Sequence, residues 1–355
     1  MCIRDSNTTL WTGNGSSGTS RAITGVGHAP DLVWLKNRDY GASHDLYDSV
    51  RGGNKNLHSN STDAEVTNID GGWIDSFDSD GFTLQIGGGG ANEWYDNRNG
   101  NNIVSWSWKA GGAASSNGDG SITSSVSANP TAGFSIISFT GDGNAGATVG
   151  HGLSQAPEFW ITKNRASAYA WFTGTPEYPS PAGNYYIQLD TGMAAASNTG
   201  IWNGTLPSST VITLGNLGSA QNNSGDAHIS YAFHSVEGYS KVGSYTGSGA
   251  TDGPFVYTGF RPAFIMVKLA TAASGQWAMF DNKRDPDNPT DRVIYANLTN
   301  ADTDVSSYYP YNLLSNGFKS RIPAGNANEA NYNTSGQTYL YLAFAQSPLK
   351  YANAR

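Results

Sequence analysis

The stretch APDLVWLK, residues 29–36, decides the fold because it recurs as APEFWITK at residues 156–163 and as RPAFIMVK at residues 261–268. Each version is a proline, a run of large apolar residues and a lysine. Proline is tolerated at the first residue of a strand, where its missing N–H does not break the ladder. A short apolar run bounded in this way indicates a buried strand. The pattern therefore predicts three equivalent strands, headed by Pro30, Pro157 and Pro262.

Two further landmarks accompany each version in the same order. A glycine turn after a short aromatic strand precedes it, as LWTGNG (10–15), SFTGDG (138–143) and SYTGSG (244–249). A closing strand with alternating large residues follows it, as IVSWSWKAGG (103–112), ISYAFHSVEG (229–238) and YLYLAFAQSP (339–348). A fixed long period indicates internal duplication. We predict three copies, at residues 7–112, 133–237 and 238–355, with a Gly- and Ser-rich linker at residues 113–132.

The composition predicts an all-β protein. The 355 residues include 44 glycines, 10 tryptophans and 19 tyrosines, but only 14% are charged. Short β-branched or aromatic runs bounded by Gly, Pro, Asn or Asp read as strands, and about seven of them fit in each copy. We expect three tandem antiparallel β-sandwich domains, of jelly-roll or lectin-like type, in which each sheet hides one face against the other. In the last strand, Leu340, Leu342 and Phe344 would point one way and Tyr339 and Tyr341 the other.

Charge and cysteine content exclude several classes of function. The formal net charge is −8 and the 20 basic residues are scattered, so nucleic acid is not an expected partner. Cys2 is the single cysteine, which excludes internal disulfides and cysteine-based zinc sites. No run reaches the roughly 18 apolar residues of a membrane-spanning helix, and the first residues lack the apolar stretch of a secretory signal. We expect no membrane insertion.

Several long phrases resemble a known family. They include GVGHAPDLVWLKNRD, SVRGGNKNLHSNSTDAE, SVSANPTAGFSIISFTGDG and the ending that runs from FHSVEGYSKVGSYTGSG to YLAFAQSPLKYANAR. The chain resembles, along nearly its whole length, a repeat domain family of uncharacterised function found in virion proteins of tailed phages, especially marine ones, often in tails or fibres. The resemblance implies a structural or host-recognition protein located in the virion. It carries over no catalytic motif.

Aromatic loop residues beside Asn and Asp are the candidate ligand-binding site. Aromatic rings can stack on sugar rings while neighbouring polar groups bind the hydroxyls. These residues equally suit caps over the sandwich ends or contacts between chains, and we weigh that alternative more heavily. The candidates are Trp94, Tyr95 and Asp96 in the first copy, Tyr185 and Tyr186 in the second, and Tyr308 and Tyr309 in the third.

One loop offers oxygen ligands for a hard cation. RDPDNPTDR, residues 284–292, contains Asp285, Asp287 and Asp291, and carboxylates are the ligands that Ca²⁺ prefers. Two prolines and solvated aspartates describe an ordinary exposed loop as well. No cofactor is expected otherwise.

Motifs for catalysis are missing from the sequence. It contains no GxSxG nucleophile motif and no GxxxxGK phosphate loop, although paired carboxylates from distant strands remain open for glycoside hydrolysis. The leading hypothesis is a non-catalytic phage tail or fibre protein that contacts host-surface glycan or neighbouring tail proteins, as a homo-oligomer. Repeated weak contacts would raise its avidity. The alternatives are a glycan-degrading enzyme and a purely architectural spacer.

Overall fold

The computed structural model describes residues 5–15, 18–68, 71–87, 95–178, 181–217, 221–273, 275–323, 325–326 and 331–347. The protein is all-β with several antiparallel sheets, as the composition predicts. In the described ranges, helical structure amounts to one short α-helix, Thr199–Trp202, and two 3₁₀ turns, Tyr95–Asn97 and Ala182–Asn184. None of the described helices has the length and apolar character needed to cross a bilayer.

Twenty-eight strands are described, and they are numbered in chain order. Residues 5–112 form β1 (Ser6–Thr12), β2 (Ser20–Thr24), β3 (Leu32–Asn37), β4 (Asp45–Asp48), β5 (Lys55–Asn56), β6 (Val66–Thr67), β7 (Gly72–Asp78), β8 (Gly81–Ile86) and β9 (Asn102–Trp108). Residues 113–237 form β10 (Ser115–Asn117), β11 (Ser124–Asn129), β12 (Phe134–Thr140), β13 (Thr148–Gly150), β14 (Phe159–Asn164), β15 (Phe172–Gly174), β16 (Tyr185–Gln188), β17 (Ala196–Ser197), β18 (Val211–Thr213) and β19 (Ala227–Phe233). Residues 238–347 form β20 (Ser240–Thr246), β21 (Phe255–Tyr257), β22 (Pro262–Leu269), β23 (Ala278–Asp281), β24 (Arg292–Tyr295), β25 (Thr303–Asp304), β26 (Tyr311–Leu314), β27 (Gly317–Ser320) and β28 (Thr338–Ala345).

One order of strand pairing occurs three times. The first main sheet runs β1-β9-β3-β4, the second contains β12-β19-β14-β15, and the third contains β20-β28-β22-β23. In each, the strand after the proline pairs with the closing strand, which pairs with the strand before the glycine turn. A smaller sheet accompanies each main sheet, as β2-β8-β7, β13-β18 and β21-β27-β26. We call residues 5–112, 113–237 and 238–347, which build these three pairs of sheets, the first, second and third segments.

The segment predicted as a linker contains strands. β10 and β11 lie within residues 113–132, and they extend the second main sheet in the order β10-β11-β12. Val126 of β11 is buried in the core of the second segment, so this part of the chain contributes to the fold. Its Gly and Ser content comes from edge strands and turns that carry few large side chains.

All three main sheets share one central core. Alternate residues of their central strands meet there, among them Leu32, Trp34, Trp106 and Trp108 of the first sheet, Phe159, Ile161, Tyr231 and Phe233 of the second, and Phe264, Met266, Leu342 and Phe344 of the third. This arrangement differs from the expectation of three sandwiches in tandem that each enclose a separate core. The apolar runs after the prolines have large residues on both faces, so each main sheet buries both.

The opposite face of each main sheet lies on an outer core beneath its own small sheet. Val33 and Leu35 pack there in the first segment, and Ile265 and Val267 pack there in the third. The second segment has an equivalent cluster around Trp160 and Trp202. The predicted alternation in β28 is confirmed, since Leu340, Leu342 and Phe344 reach the central core, whereas Tyr339, Tyr341 and Ala343 reach the outer one.

Matching aromatic residues from the three sheets meet at the middle of the central core. Trp108, Phe233 and Phe344 hold the same register against the strands after the prolines, opposite Leu32, Phe159 and Phe264. Their ring centroids are 6.2 Å apart for Trp108 and Phe233, 6.1 Å for Phe233 and Phe344, and 5.7 Å for Trp108 and Phe344. The three rings form a closed triangle, so the three segments surround one axis.

The lysines at the ends of the three repeated strands are buried and join neighbouring segments. The Nζ atom of Lys36 donates to Thr299 O at 3.2 Å, that of Lys163 to Thr62 O at 3.2 Å, and that of Lys268 to Met193 O at 2.8 Å. The first segment therefore binds the third, the second binds the first, and the third binds the second. We call these three contacts the 1/3, 2/1 and 3/2 seams.

Other hydrogen bonds repeat the same cyclic order. The backbone N–H groups of Asp302, Glu65 and Ala195 donate to the carbonyls of Arg38, Arg165 and Ala270 at 2.7, 2.9 and 2.7 Å. The residue that precedes the fourth strand of each main sheet also donates across a seam. His44 Nε2 lies 3.0 Å from Tyr295 O, Trp171 Nε1 donates to His58 O at 2.9 Å, and Trp277 Nε1 donates to Gln188 O at 3.0 Å. Only the 1/3 seam joins segments that are not consecutive in the chain.

Candidate functional site

Of the site predicted in the first segment, the structure describes the side chain of Asp96 alone. Trp94 lies outside the described residues, as does the side chain of Tyr95. Asp96 lies in the 3₁₀ turn Tyr95–Asn97 and is fully buried. A buried side chain is out of reach of an external glycan, so the position of Asp96 favours a structural role.

Asp96 forms a buried carboxyl pair with Asp45. Burial, and then the charge of Asp45, raise the pKa of Asp96 well above its usual value. Burial also disfavours the charged form of Asp45, but the hydrogen bonds of His58 and Asp96 outweigh this and lower its pKa. His58 Nδ1 lies 2.9 Å from Asp45 Oδ1, and this contact raises the pKa of His58 to about 9 against the opposing effect of burial. The charged form is thus disfavoured at Asp96 and favoured at Asp45, which lies beside His58.

The predicted tyrosines of the other segments lie in different cores. Tyr185 packs against the central core, and Tyr186 packs on Phe172 at 5.3 Å in the second outer core. Tyr308 is buried in the third outer core. Tyr309 is exposed at a positive φ of 42°. Three of these four side chains contribute to packing, and the described contacts do not bring the four together into one surface.

The predicted cation loop uses one of its carboxylates internally. Asp285 Oδ2 accepts the backbone N–H groups of Asp291 and Arg292, which closes the loop on itself. Burial raises the pKa of the Asp285 carboxyl, and Asp287 is exposed. Within the described ranges, no three His, Cys, Asp or Glu side chains lie close enough to one another to hold a metal ion.

A cleft of about 530 Å³ lies at the 1/3 seam. Its apolar wall comes from the two facing sheets and its rim from β1, the loop after β23 and the end of β28. The wall consists of Trp106, Trp108, Phe264 and Phe344, and the polar rim consists of Ser6, Asn7, Thr8, Asn282, Lys283, Gln346 and Ser347. Ligand sites in proteins combine an aromatic wall with a few polar groups in a volume of roughly 300–1,000 Å³.

The cleft lies where β1 carries a small polar residue and the matching strands carry larger apolar ones. Thr8 of β1 matches Ile136 of β12 and Val242 of β20, because each pairs with the equivalent residue of its closing strand. Ile136 and Val242 belong to the central core. In the next row Ser6 matches Phe134 of β12 and Ser240 of β20, so Thr8 is the position that distinguishes β1 from both other strands.

The two tryptophans of the cleft wall differ in their hydrogen bonds. Trp106 Nε1 donates to Asp281 Oδ2 at 3.0 Å, and the Arg284 guanidinium lies 5.5 Å from the centre of its ring. Trp108 is only 4% exposed, and its Nε1 has no hydrogen-bond partner among the described residues. A buried donor without a partner carries a free-energy cost.

A buried ion-pair chain supports each of the two seams that involve the first segment. At the 1/3 seam, Arg284 binds Asp281 and Asp302, and Asp302 also binds Arg38 at 2.9 Å. At the 2/1 seam the corresponding chain consists of Asp48, Arg51, Glu65 and Arg165. Burial disfavours the charge of Arg51, but the neighbouring Asp48 carboxylate raises its pKa. In contrast, the matching residues at the 3/2 seam include the uncharged Thr175 and Tyr178, and the Tyr178 hydroxyl donates to Thr173 O at 3.2 Å.

Sequence reasoning missed the cleft because it treats each copy separately. Trp106 and Trp108 are buried, as their alternation predicts, but they also face a second segment. The usable signal was the difference between matching positions in the three copies, at which β1 has Thr8 while β12 has Ile136 and β20 has Val242. A small polar residue in a row that is otherwise apolar indicates a place that is left open.

The fold and the cleft define an all-β protein with a polar, aromatic-walled cavity between two of its sheets. The chain belongs to the family described as a domain of unknown function, DUF7483, whose family model matches residues 5–348. One family domain thus spans all three main sheets. No curated protein and no solved structure matches the chain.

Proposed function

We propose that the protein is a non-catalytic structural and adhesive protein of a phage tail or fibre that binds host-surface glycan in the cleft at the 1/3 seam. The observation that carries this proposal is the chemistry of the cleft. Hydroxyl and amide groups form its rim, and indole and phenyl rings that are each 1–5% exposed lie beneath them. Sugars present apolar C–H faces and hydroxyl edges, which these two kinds of group bind.

The proposal includes a triplicated architecture. The three segments are copies of one two-layer sandwich unit, closed into a ring around the central core. Three identical orders of strand pairing and three sets of matching seam contacts support this origin. The first copy carries Thr8 where the others carry Ile136 and Val242, and this difference accounts for a cleft at one of three similar seams.

The virion location and the homo-oligomeric state belong to the proposal as well. They come from the resemblance of the long sequence phrases to tail and fibre proteins of tailed phages. Several copies of the chain on one particle would each offer a cleft. Weak single-site binding would then become strong attachment through effective concentration.

A glycan-degrading activity has less support from the geometry. Glycosidases place two carboxyl groups on either side of an accessible sugar ring, roughly 5–9.5 Å apart. The carboxyl pair of Asp45 and Asp96 is buried and hydrogen-bonded, and the described lining of the cleft contains no carboxylate. Binding without cleavage is therefore the function that the cleft supports best.

A glycan array tests the proposal. We expect the wild-type protein to bind a defined subset of glycans, and we expect Ser6→Phe with Thr8→Ile to abolish this binding, because these residues are the larger ones that β12 carries at the matching positions. Ser20→Phe with Ala22→Ile is the matched control, since it makes similar changes on the exposed face of β2. Circular dichroism confirms that both variants fold.

Three outcomes of the same experiment would contradict the proposal. Retained binding by the cleft variant would move the site elsewhere. Release of reducing sugar from a bound polysaccharide would favour the glycan-degrading enzyme. Absence of binding to every glycan would favour the architectural spacer.

A further inference from the structure

The cleft at the 1/3 seam has an unusual charge for this protein. The sequence contains 28 acidic and 20 basic residues. The described lining of the cleft nevertheless contains no acidic side chain, and its one ionisable group is Lys283. A lining of neutral polar groups with a single cation favours a ligand that carries negative charge.

Lys283 is available for such a ligand. Its side chain is exposed, and no described carboxylate forms an ion pair with its ammonium group. Its backbone is fixed, because the Lys283 N–H donates to Asp281 Oδ1 at 3.1 Å. The neighbouring Arg284, in contrast, is buried and bound by Asp281 and Asp302, so its charge is already balanced.

The matching positions at the other two seams have no free cation. Val50, Glu177 and Lys283 occupy matching positions, because each lies six residues after the residue that precedes the fourth strand of its main sheet, namely His44, Trp171 and Trp277. Val50 packs against the central core, and Glu177 Oε2 accepts the hydroxyl of Ser244 at 2.6 Å. The lysine therefore occurs only at the seam that is open.

Two carboxylates beside the lining are engaged by neighbouring groups. Asp80 accepts the backbone N–H groups of Gly25 and Gly27, at 3.2 and 2.6 Å, through its two oxygens. Asp281 is paired with the buried Arg284. Lys283 is thus the ionisable side chain that the described lining itself offers to a molecule in the cleft.

We propose that the cleft selects saccharides that carry a carboxylate, with the sugar held by the polar rim and the carboxylate paired with Lys283. This inference rests on the proposed function and narrows its ligand class. A carboxylate on a sugar of this kind lies at the ring edge, where it can reach Lys283 while the sugar hydroxyls bind the amide and hydroxyl groups of the rim. An exposed ion pair contributes modestly and weakens with salt.

The experiment uses an array on which each carboxylated glycan is printed beside its carboxyl-reduced, neutral form. We expect the bound glycans to be carboxylated and their reduced forms to bind about 5- to 10-fold more weakly, which corresponds to roughly 1–1.4 kcal/mol. The difference should shrink in high salt. Lys283→Gln should lower binding of the acidic forms to the level of the reduced forms without changing the latter.

Lys319→Gln is the matched control, because Lys319 lies on β27 and pairs with Asp252, away from the cleft. It should leave the selectivity unchanged. Equal binding of acidic and reduced glycans by the wild-type protein would overturn this inference and leave the proposed function standing. Failure of every glycan to bind would overturn both.

Discussion

The indole ring of Trp108 lies 5.7 Å from the phenyl ring of Phe344, although the two residues come from the first and the third segments. Phe233 of the second segment completes the contact at 6.2 and 6.1 Å. Three strands that are distant in sequence therefore place matching residues at one point. The contact makes each main sheet depend on the other two for the burial of its inner face.

Phe233→Ala should destabilise the whole molecule. A buried phenylalanine truncated to alanine costs about 3–5 kcal/mol, since apolar contact is lost and a cavity remains. Because the central core is shared, we expect one cooperative transition in urea, shifted as a unit and detected alike by tryptophan fluorescence and circular dichroism. Phe255→Ala, at a residue that is 45% exposed, should change the free energy of unfolding by less than about 0.5 kcal/mol. Separate transitions for the three segments would contradict the shared core.

Arg51→Met should be strongly destabilising as well. Arg51 and Asp48 are fully buried at the 2/1 seam, and removal of one partner leaves the other charge without compensation, at a cost of about 3–5 kcal/mol. The hydroxyl of Tyr231, which donates to Asp48 at 2.7 Å, cannot replace a cation. Arg292→Met is the control, since its pairs with Asp291 and Asp304 are exposed and screened by solvent and should contribute little. Equal effects of the two substitutions in chemical denaturation would show that the seam pair is not essential.

Lys268→Met should change how stability depends on pH. Burial lowers the pKa of Lys268 from 10.5 to about 7, so between these values the unfolded chain binds more protons than the folded one. The contribution of Lys268 to stability therefore rises with pH across this window, by roughly 1.4 kcal/mol for each unit of pKa difference. The methionine variant should lose this rise in unfolding curves measured from pH 7 to 10. Lys319→Met should keep the rise in stability with pH. If the free energy of unfolding depends on pH in the same way in the wild type and in Lys268→Met, the lowered pKa of Lys268 is refuted.

The strand order within each segment could be predicted from the sequence, but the way the segments meet could not. The run of Leu32, Val33, Trp34 and Leu35 indicates a buried strand, and it is one. Because both faces of the run are apolar, nothing in it tells which face lies under the small sheet and which faces another segment. The partner of Lys36 is equally hidden, since its ammonium binds the carbonyl of Thr299, and a backbone carbonyl leaves no sequence signal.

The candidate site shows the same limit. Aromatic residues beside Asn and Asp suggested a sugar site, yet Tyr308 fills an outer core and Asp96 is buried. The cleft instead uses tryptophans that alternate as core residues do. Its polar rim joins β1 to the end of β28, and only the closure of the ring brings these strands together.

Ser6 and Ser347 line the same cleft, so the two ends of the described chain emerge side by side. A tag or a neighbouring domain joined at either end is tethered within a few residues of the cleft, and it can screen the opening or present it. The same proximity would allow a circular permutation, in which a short linker joins the two ends and new termini are placed between the first and second segments. A chain permuted in this way would keep all three seams, and its cleft would then lie between segments that follow one another in sequence.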